Sequence, residues 1–180
     1  MQSMSRAIQP EIADAFASAV DGDETAFARI VVAFDDEMYR VCVAVCRDQT
    51  IAADAVQAAW TIAWKKLGSV RQPDRLRQWL VSVAVNEGKK LLKSRTRRME
   101  APLPFQPAGP NDGRDPAASV DFIDLIAALE RLNPDDRALL AMRYMAGFNS
   151  TELAAALGIS AAGVRQRIKR LVDRLREELA

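Results

Sequence analysis

The chain has 180 residues, 25 Lys and Arg against 24 Asp and Glu, a net charge of +1 and no histidine. Its 49% apolar and 27% charged composition is that of an ordinary globular protein of one medium or two small domains. Having no histidine excludes Ser-His and Cys-His catalytic pairs, His-ligated zinc and histidine acid–base chemistry. The longest apolar run, Val41 to Cys46, is six residues, far below a membrane span, and no signal peptide opens the chain. Cys42 and Cys46 make no disulfide framework and read as small buried residues. The expectation is a soluble, cytoplasmic, non-catalytic protein with no cofactor, no metal and no membrane insertion.

Charge is segregated along the chain. Residues 1–37 hold two basic and eight acidic side chains, and residues 65–98 hold eleven basic and two acidic. Residues 99–164 return to four basic and nine acidic, and 165–180 carry six basic against three acidic. Two separate basic blocks on a neutral chain suggest contact with a polyanion.

No alternating apolar pattern marks a strand, so the chain is expected to be all-α. A weak helix covers Glu11–Val20. Asp23 is positioned to cap a helix with Phe27, Ile30, Val31, Phe34, Met38 and Val41 as its stripe. Thr50 is predicted to cap the next, with Ala53, Val56, Trp60, Ile62, Trp64 and Leu67 on its buried side and Gly68 ending it. After the turn Gly68–Pro73 comes a long helix with Leu76, Leu80, Val83 and Leu91 inward. These elements form an N-terminal bundle over 8–98.

Five of the eight prolines fall between residues 99 and 119, which predicts an extended linker and a domain boundary. A second helical domain is expected over 120–180. Leu125, Ile126, Leu129 and Leu132 form a stripe. Asn133-Pro134-Asp135-Asp136 starts a helix, and Asn149 with Glu152 has capping-box spacing. That short helix stops at Gly158, Ile159 is expected to plug the turn, and Ser160 caps a last helix with Val164, Ile168, Leu171, Leu175 and Leu179 inward. A short helix, a glycine turn and a longer basic helix make a helix-turn-helix. At 100° per residue the apolar stripe leaves Gln166, Lys169, Arg170 and Asp173 pointing outward, with Arg165 and Arg167 on the flanks. Arg and Lys pair with phosphates or guanine edges, and Gln reads adenine.

The run Leu132-x-Pro134-x-x-Arg137-x-Leu139-Leu140-x-x-Arg143-Tyr144, with Gly147-Phe148, Glu152-Leu153-Ala154-x-x-Leu157-Gly158-Ile159-Ser160 and Gly163–Arg170, resembles region 4 of the sigma-70 family. Asp54-Ala55-Val56-Gln57, Trp60, Ala63–Leu67 and Arg77-x-Trp79-Leu80-x-x-Val83-Ala84-x-Asn86 resemble region 2. The size and the linker are similar to the extracytoplasmic-function (ECF) subfamily. The resemblance implies a sigma factor that binds core RNA polymerase through its clamp helices and flap, directs it to promoter DNA and helps open the duplex. It implies polymerase docking by Asp54 and Gln57. Upstream-element contacts would come from Ser160, Gly163, Arg165, Gln166, Arg167, Lys169 and Arg170. Melting and −10 contacts would come from Arg71, Arg75, Arg77, Trp79, Asn86, Lys89, Lys90 and Lys93, with Trp79 open between core and stacking platform. Trp60 and Trp64 read as core. An anti-sigma factor or other regulator is an expected partner. Competing readings are a decoy that binds an anti-sigma factor without touching DNA, and a ligand-responsive helix-turn-helix regulator.

Overall fold

The computed structural model describes residues 10–97, 128–129 and 131–179. The proline-rich stretch and Leu125 and Ile126 lie outside the described residues, so the predicted linker is not tested there. Among the described residues the regular structure is helical. The helices are α1 (Pro10–Val20), α2 (Glu24–Cys46), α3 (Gln49–Lys66), α4 (Leu76–Arg97), α5 (Pro134–Tyr144), α6 (Ser150–Leu157) and α7 (Ala161–Glu178).

Local chemistry accounts for most helix ends. The Asp23 carboxylate accepts from the amides of Thr25 and Ala26 at the start of α2. Asn133 takes the Asp136 amide, with Pro134 at the first position of α5. The capping box of α6 is complete: Asn149 accepts from the Thr151 and Glu152 amides, and Glu152 accepts from the Asn149 amide. Gly158 adopts φ 68°, the left-handed conformation that ends α6, and Ser160 caps α7. One predicted cap is wrong: α3 is capped by Asp48, not Thr50. Asp48 receives the Ile51 amide at 3.0 Å and Arg95 Nη1 at 2.6 Å. Its burial works against ionisation, but the Ile51 amide and Arg95 hold the carboxyl below its ordinary range. Arg95 is a partner 47 positions downstream, which local spacing could not supply.

The core of the first bundle is built on small residues. Ala52, Ala55, Ala59 and Ala63 form the buried stripe of α3, whereas Ala53 and Trp64 are exposed, against expectation. The alanines let α3 lie close to α4, and a Cβ on Gly88 would come within 2.7 Å of Cys46 Sγ and 3.6 Å of Ala55 Cβ. Trp60 is displaced to the flank, where its indole N–H donates to Asp35 at 2.7 Å. Phe27 meets Trp60 and Trp64 edge-on, with centroids 5.8 and 4.9 Å away. On α4, Leu76, Leu80, Val81, Ala84 and Val85 are buried, while Val83 and Leu91 are half-buried.

In the second domain Phe148, Leu153 and Val164 are fully buried and fill the space between α5, α6 and α7. Phe148, not Ile159, therefore plugs the helix-turn-helix. The left-handed Gly158 and the Ser160 cap turn Ile159 outward to 38% exposure. Leu179, predicted inward, is exposed beyond the last turn of α7. The two domains share one hydrophobic core, in which α5 packs across α2 and the C-terminal part of α4.

Candidate nucleic-acid interface

The outward face of α7 is set by the burial of Val164, Leu171 and Leu175. Arg165, Gln166, Lys169 and Arg170 are exposed on that face, with Ser160 exposed at its head. Arg170 Nε reaches back to the Gln166 carbonyl at 3.4 Å, which lays it along the helix surface. Gly163 gives its amide to Ser160 Oγ at 3.0 Å, and a Cβ there would sit 3.2 Å from the same oxygen. Arg167 differs from its neighbours: Nε donates to Asp136 Oδ1 at 2.8 Å, tying α7 to the start of α5. Five of the seven predicted upstream-element residues therefore gather on one surface, while Gly163 and Arg167 sit in the packing beneath it.

A second cationic surface runs along α4. Arg71 and Arg75 are exposed in the segment before the helix. Asn86, Lys89, Lys90 and Lys93 line a crevice of about 750 Å³, with Trp79, Val83 and Ile62 as its apolar wall and Lys66 at its edge. Trp79 is half-buried, packed against the core on one side and lining the crevice on the other. Glu87, which pairs with Lys90 at 2.6 Å, and Asp135 also line it, so Lys93 is the α4 lysine of the crevice with no carboxylate partner among the described residues. Cations, one amide and an apolar wall together suit an unpaired strand, whose phosphates would compete with these carboxylates while a base meets the wall. Asp54 and Gln57 are exposed on α3, away from its alanine stripe.

Sequence reasoning missed how two of these cations are held. Arg77 forms a two-pronged pair with Glu37 of α2 and also donates to the Ala146 carbonyl at 2.7 Å. Lys89 pairs with Asp135 at 2.5 Å, and that contact lowers the Asp135 pKa below its ordinary value. Gln78 Nε2 donates to Glu152 Oε1 at 3.2 Å. The only sequence signal was the opposite charge of the two stretches.

Among the described residues no group of histidine, cysteine, aspartate or glutamate could hold a metal ion, and no helix is long and apolar enough to cross a membrane. Both thiols are buried. Burial, aided at Cys42 by the neighbouring Cys46 and opposed at Cys46 by the Arg137 cation, pushes both thiols up to about 12.

A helix-turn-helix with an outward cationic recognition helix, joined to a bundle that carries a second cationic helix, defines a two-domain DNA-binding protein. The family model for Sigma-70 region 2 matches residues 30–98, and that for Sigma-70, region 4 matches residues 128–177. The chain belongs to the sigma-70 family, in its ECF branch. It is 29% identical over 168 residues to the probable RNA polymerase sigma factor RfaY of Xanthomonas campestris pv. campestris, covering 89% of this chain and 42% of RfaY. It is 32% identical over 151 residues to the ECF RNA polymerase sigma factor SigE of Mycolicibacterium smegmatis, covering 81% of this chain and 58% of SigE. The chain thus spans about half the length of these two relatives. Its fold matches that of the sigma factor RpoE, solved in complex with the anti-sigma factor NepR from Bartonella quintana. That match has a TM-score of 0.68 and 23% identity, over 85% of this chain and 96% of the other.

Proposed function

We propose that the protein is a promoter-directing sigma factor built as two units, 8–98 and 120–180, joined by the 99–119 linker. The observation that carries this reading is the pair of cationic helices in one chain. The outward face of α7 suits base edges in a duplex major groove, and the lysine-lined crevice of α4 suits an unpaired strand. A regulator that only binds duplex DNA has no use for the second surface.

In this reading Ser160, Arg165, Gln166, Lys169 and Arg170 meet the upstream promoter element, with Gly163 and Arg167 shaping the helix beneath them. Asn86 carries both a donor and an acceptor for a base swung from the stack, and Lys90 and Lys93 hold phosphates of the separated strand. Arg71, Arg75 and Arg77 steer the strand towards the crevice, and Trp79 backs it. Asp54 and Gln57 dock on the clamp helices of core RNA polymerase, while the second domain meets the flap. No chemical step is assigned to the protein itself. Its site of action is the cytoplasm, where polymerase and promoter are, and the RpoE–NepR complex supports an anti-sigma factor as a regulator.

The test is reconstitution. Core polymerase with the purified protein should give discrete run-off transcripts from a genomic fragment library, whereas core alone should not. Asp54→Lys with Gln57→Ala should lower holoenzyme assembly and leave promoter binding by the free protein unchanged. Absence of both assembly and transcripts would refute the reading.

A further inference from the structure

Two carboxylates stand among the cations of the crevice, and they are held differently. Asp135, from α5, pairs with Lys89, whose side chain is 28% exposed. Glu87, from α4 itself, gives Oε1 to Lys90 at 2.6 Å. The Glu87 side chain is only 16% exposed, whereas that of Lys90 is 70% exposed. Lys90 is therefore a partner that water and salt draw away easily, while Glu87 stays in the crevice. Trp79, Val83, Asn86 and Lys90 recur on one face of α4 by helical spacing, and Glu87 borders that face next to Asn86.

We propose that Glu87 is a specificity-determining residue of this crevice, selecting a captured base that carries an exocyclic amine and rejecting thymine. The proposal rests on the assignment of α4 to strand binding and of Asn86 to base capture made above. An ionised carboxylate only accepts hydrogen bonds, whereas an amide both donates and accepts. Cytosine and adenine each present an amine beside a bare ring nitrogen. Glu87 accepts from the amine, and the Asn86 amide donates to the ring nitrogen. Guanine offers its N–H donors to the carboxylate and its carbonyl to the Asn86 amide. Thymine has a single N–H flanked by carbonyls. Either carbonyl against Glu87 sets acceptor on acceptor, with little water in the crevice to separate them. Lys90, released from Glu87 by the amine, becomes available to a phosphate of the same strand.

Binding of short single strands to reconstituted holoenzyme tests this, read by fluorescence anisotropy with core polymerase alone as the baseline. The strands are oligothymidine and the same oligothymidine with one central deoxycytidine. The wild type should prefer the deoxycytidine strand about tenfold, within the discrimination of one good base contact. Glu87→Gln keeps the shape of the side chain and adds a donor, so the preference should fall below about twofold. Loss of the charge also frees Lys90, which strengthens both strands alike and leaves their ratio untouched. The ratio therefore reads the base contact alone. A wild-type ratio of one or less, or the wild-type ratio retained in Glu87→Gln, overturns the proposal. Asn86→Ala/Lys93→Ala separates it from the assignment beneath it. If this variant binds both strands like the wild type, the strand-binding assignment falls and the proposal with it. If it binds both weakly while Glu87→Gln keeps the wild-type ratio, only the role of Glu87 falls.

Discussion

Arg137 Nε donates to the Val45 carbonyl at 2.8 Å, joining α5 to the last turn of α2 across 92 positions of chain. The last turn of α2 holds no basic residue and its C-cap is Arg47, so Arg137 adds a second cation at the negative end of the helix dipole. A second guanidinium nitrogen holds the Leu132 carbonyl, which fixes the chain entering α5. Burial first, and then the nearby charge of Arg47, lower the Arg137 pKa below its ordinary value, in keeping with a cation held inside an interface. The domains are thus clasped by an interaction that salt screens poorly, beside the Lys89–Asp135 pair that salt screens well.

Removal of the clasp is expected to loosen the interface and lower stability together. Arg137→Ala leaves the Val45 and Leu132 carbonyls without their partner, at a cost of roughly 1–3 kcal/mol. Urea unfolding followed by circular dichroism reads the loss. Hydrogen exchange at the end of α2 should rise in the same variant, and wild-type protection there would contradict the clasp.

The α2–α4 crossing depends on Gly88. Gly88→Ala puts a methyl group 2.7 Å from Cys46 Sγ, and overpacking of this kind costs roughly 1–3 kcal/mol. Gly88→Ala/Cys46→Ala removes the sulfur that is struck and should recover most of the loss. Two additive losses in urea midpoint would mean that the methyl group meets something else.

The two thiols are expected to be inert in the native protein. Their folded pKa is raised to about 12 from an ordinary value near 9, so the fold favours the protonated form. Their contribution to stability is complete below pH about 9 and declines as pH rises towards 12, because the unfolded chain releases its protons first. Iodoacetamide at pH 8 should label Cys42 and Cys46 only at the rate of unfolding, with full labelling in urea. Fast stoichiometric labelling of the folded protein would refute their burial.

Substitutions on α7 should separate recognition from folding. Gln166→Ala and Arg170→Ala alter exposed side chains and should weaken upstream-element binding by about 1–3 kcal/mol each if a bidentate base contact is lost, with melting temperature unchanged. Leu171→Ala empties a buried position and should instead cost roughly 2–5 kcal/mol of stability. Gel shifts and thermal melts on the same preparations distinguish the two effects.

Legibility in the sequence followed the range of the interactions. Asp23, Asn133, Asn149 with Glu152, Gly158 and Ser160 act on amides a few residues away, and each was readable as a helix end. Asp48 acts over the same short range, on the Ile51 amide, but competed with Thr50 two positions on, and its second partner Arg95 lies 47 positions away. The buried face of α3 was misread because alanines fill it, and large apolar residues such as Trp64 drew the stripe to the wrong side. On α7 the apolar spacing identified the outward Gln166, Lys169 and Arg170, but not the turning of Arg167 towards Asp136. The contacts of Arg77, Lys89 and Arg137 with the other domain were invisible, because no periodicity encodes a partner dozens of residues away.

Strand opening is what separates a sigma factor from any other helix-turn-helix protein, and the proposed function assigns the capture of an unpaired base to Asn86. Unstacking a base costs a few kcal/mol, which its capture in the α4 crevice must offset to keep the duplex open. Permanganate reactivity of promoter thymines, measured with wild-type and Asn86→Ala holoenzymes on duplex and pre-mismatched templates, tests this most directly. Strong wild-type reactivity is expected on the duplex, with a large reduction in Asn86→Ala and near-equal reactivity once the −10 region is already unpaired. Duplex reactivity in Asn86→Ala equal to that of the wild type would contradict it.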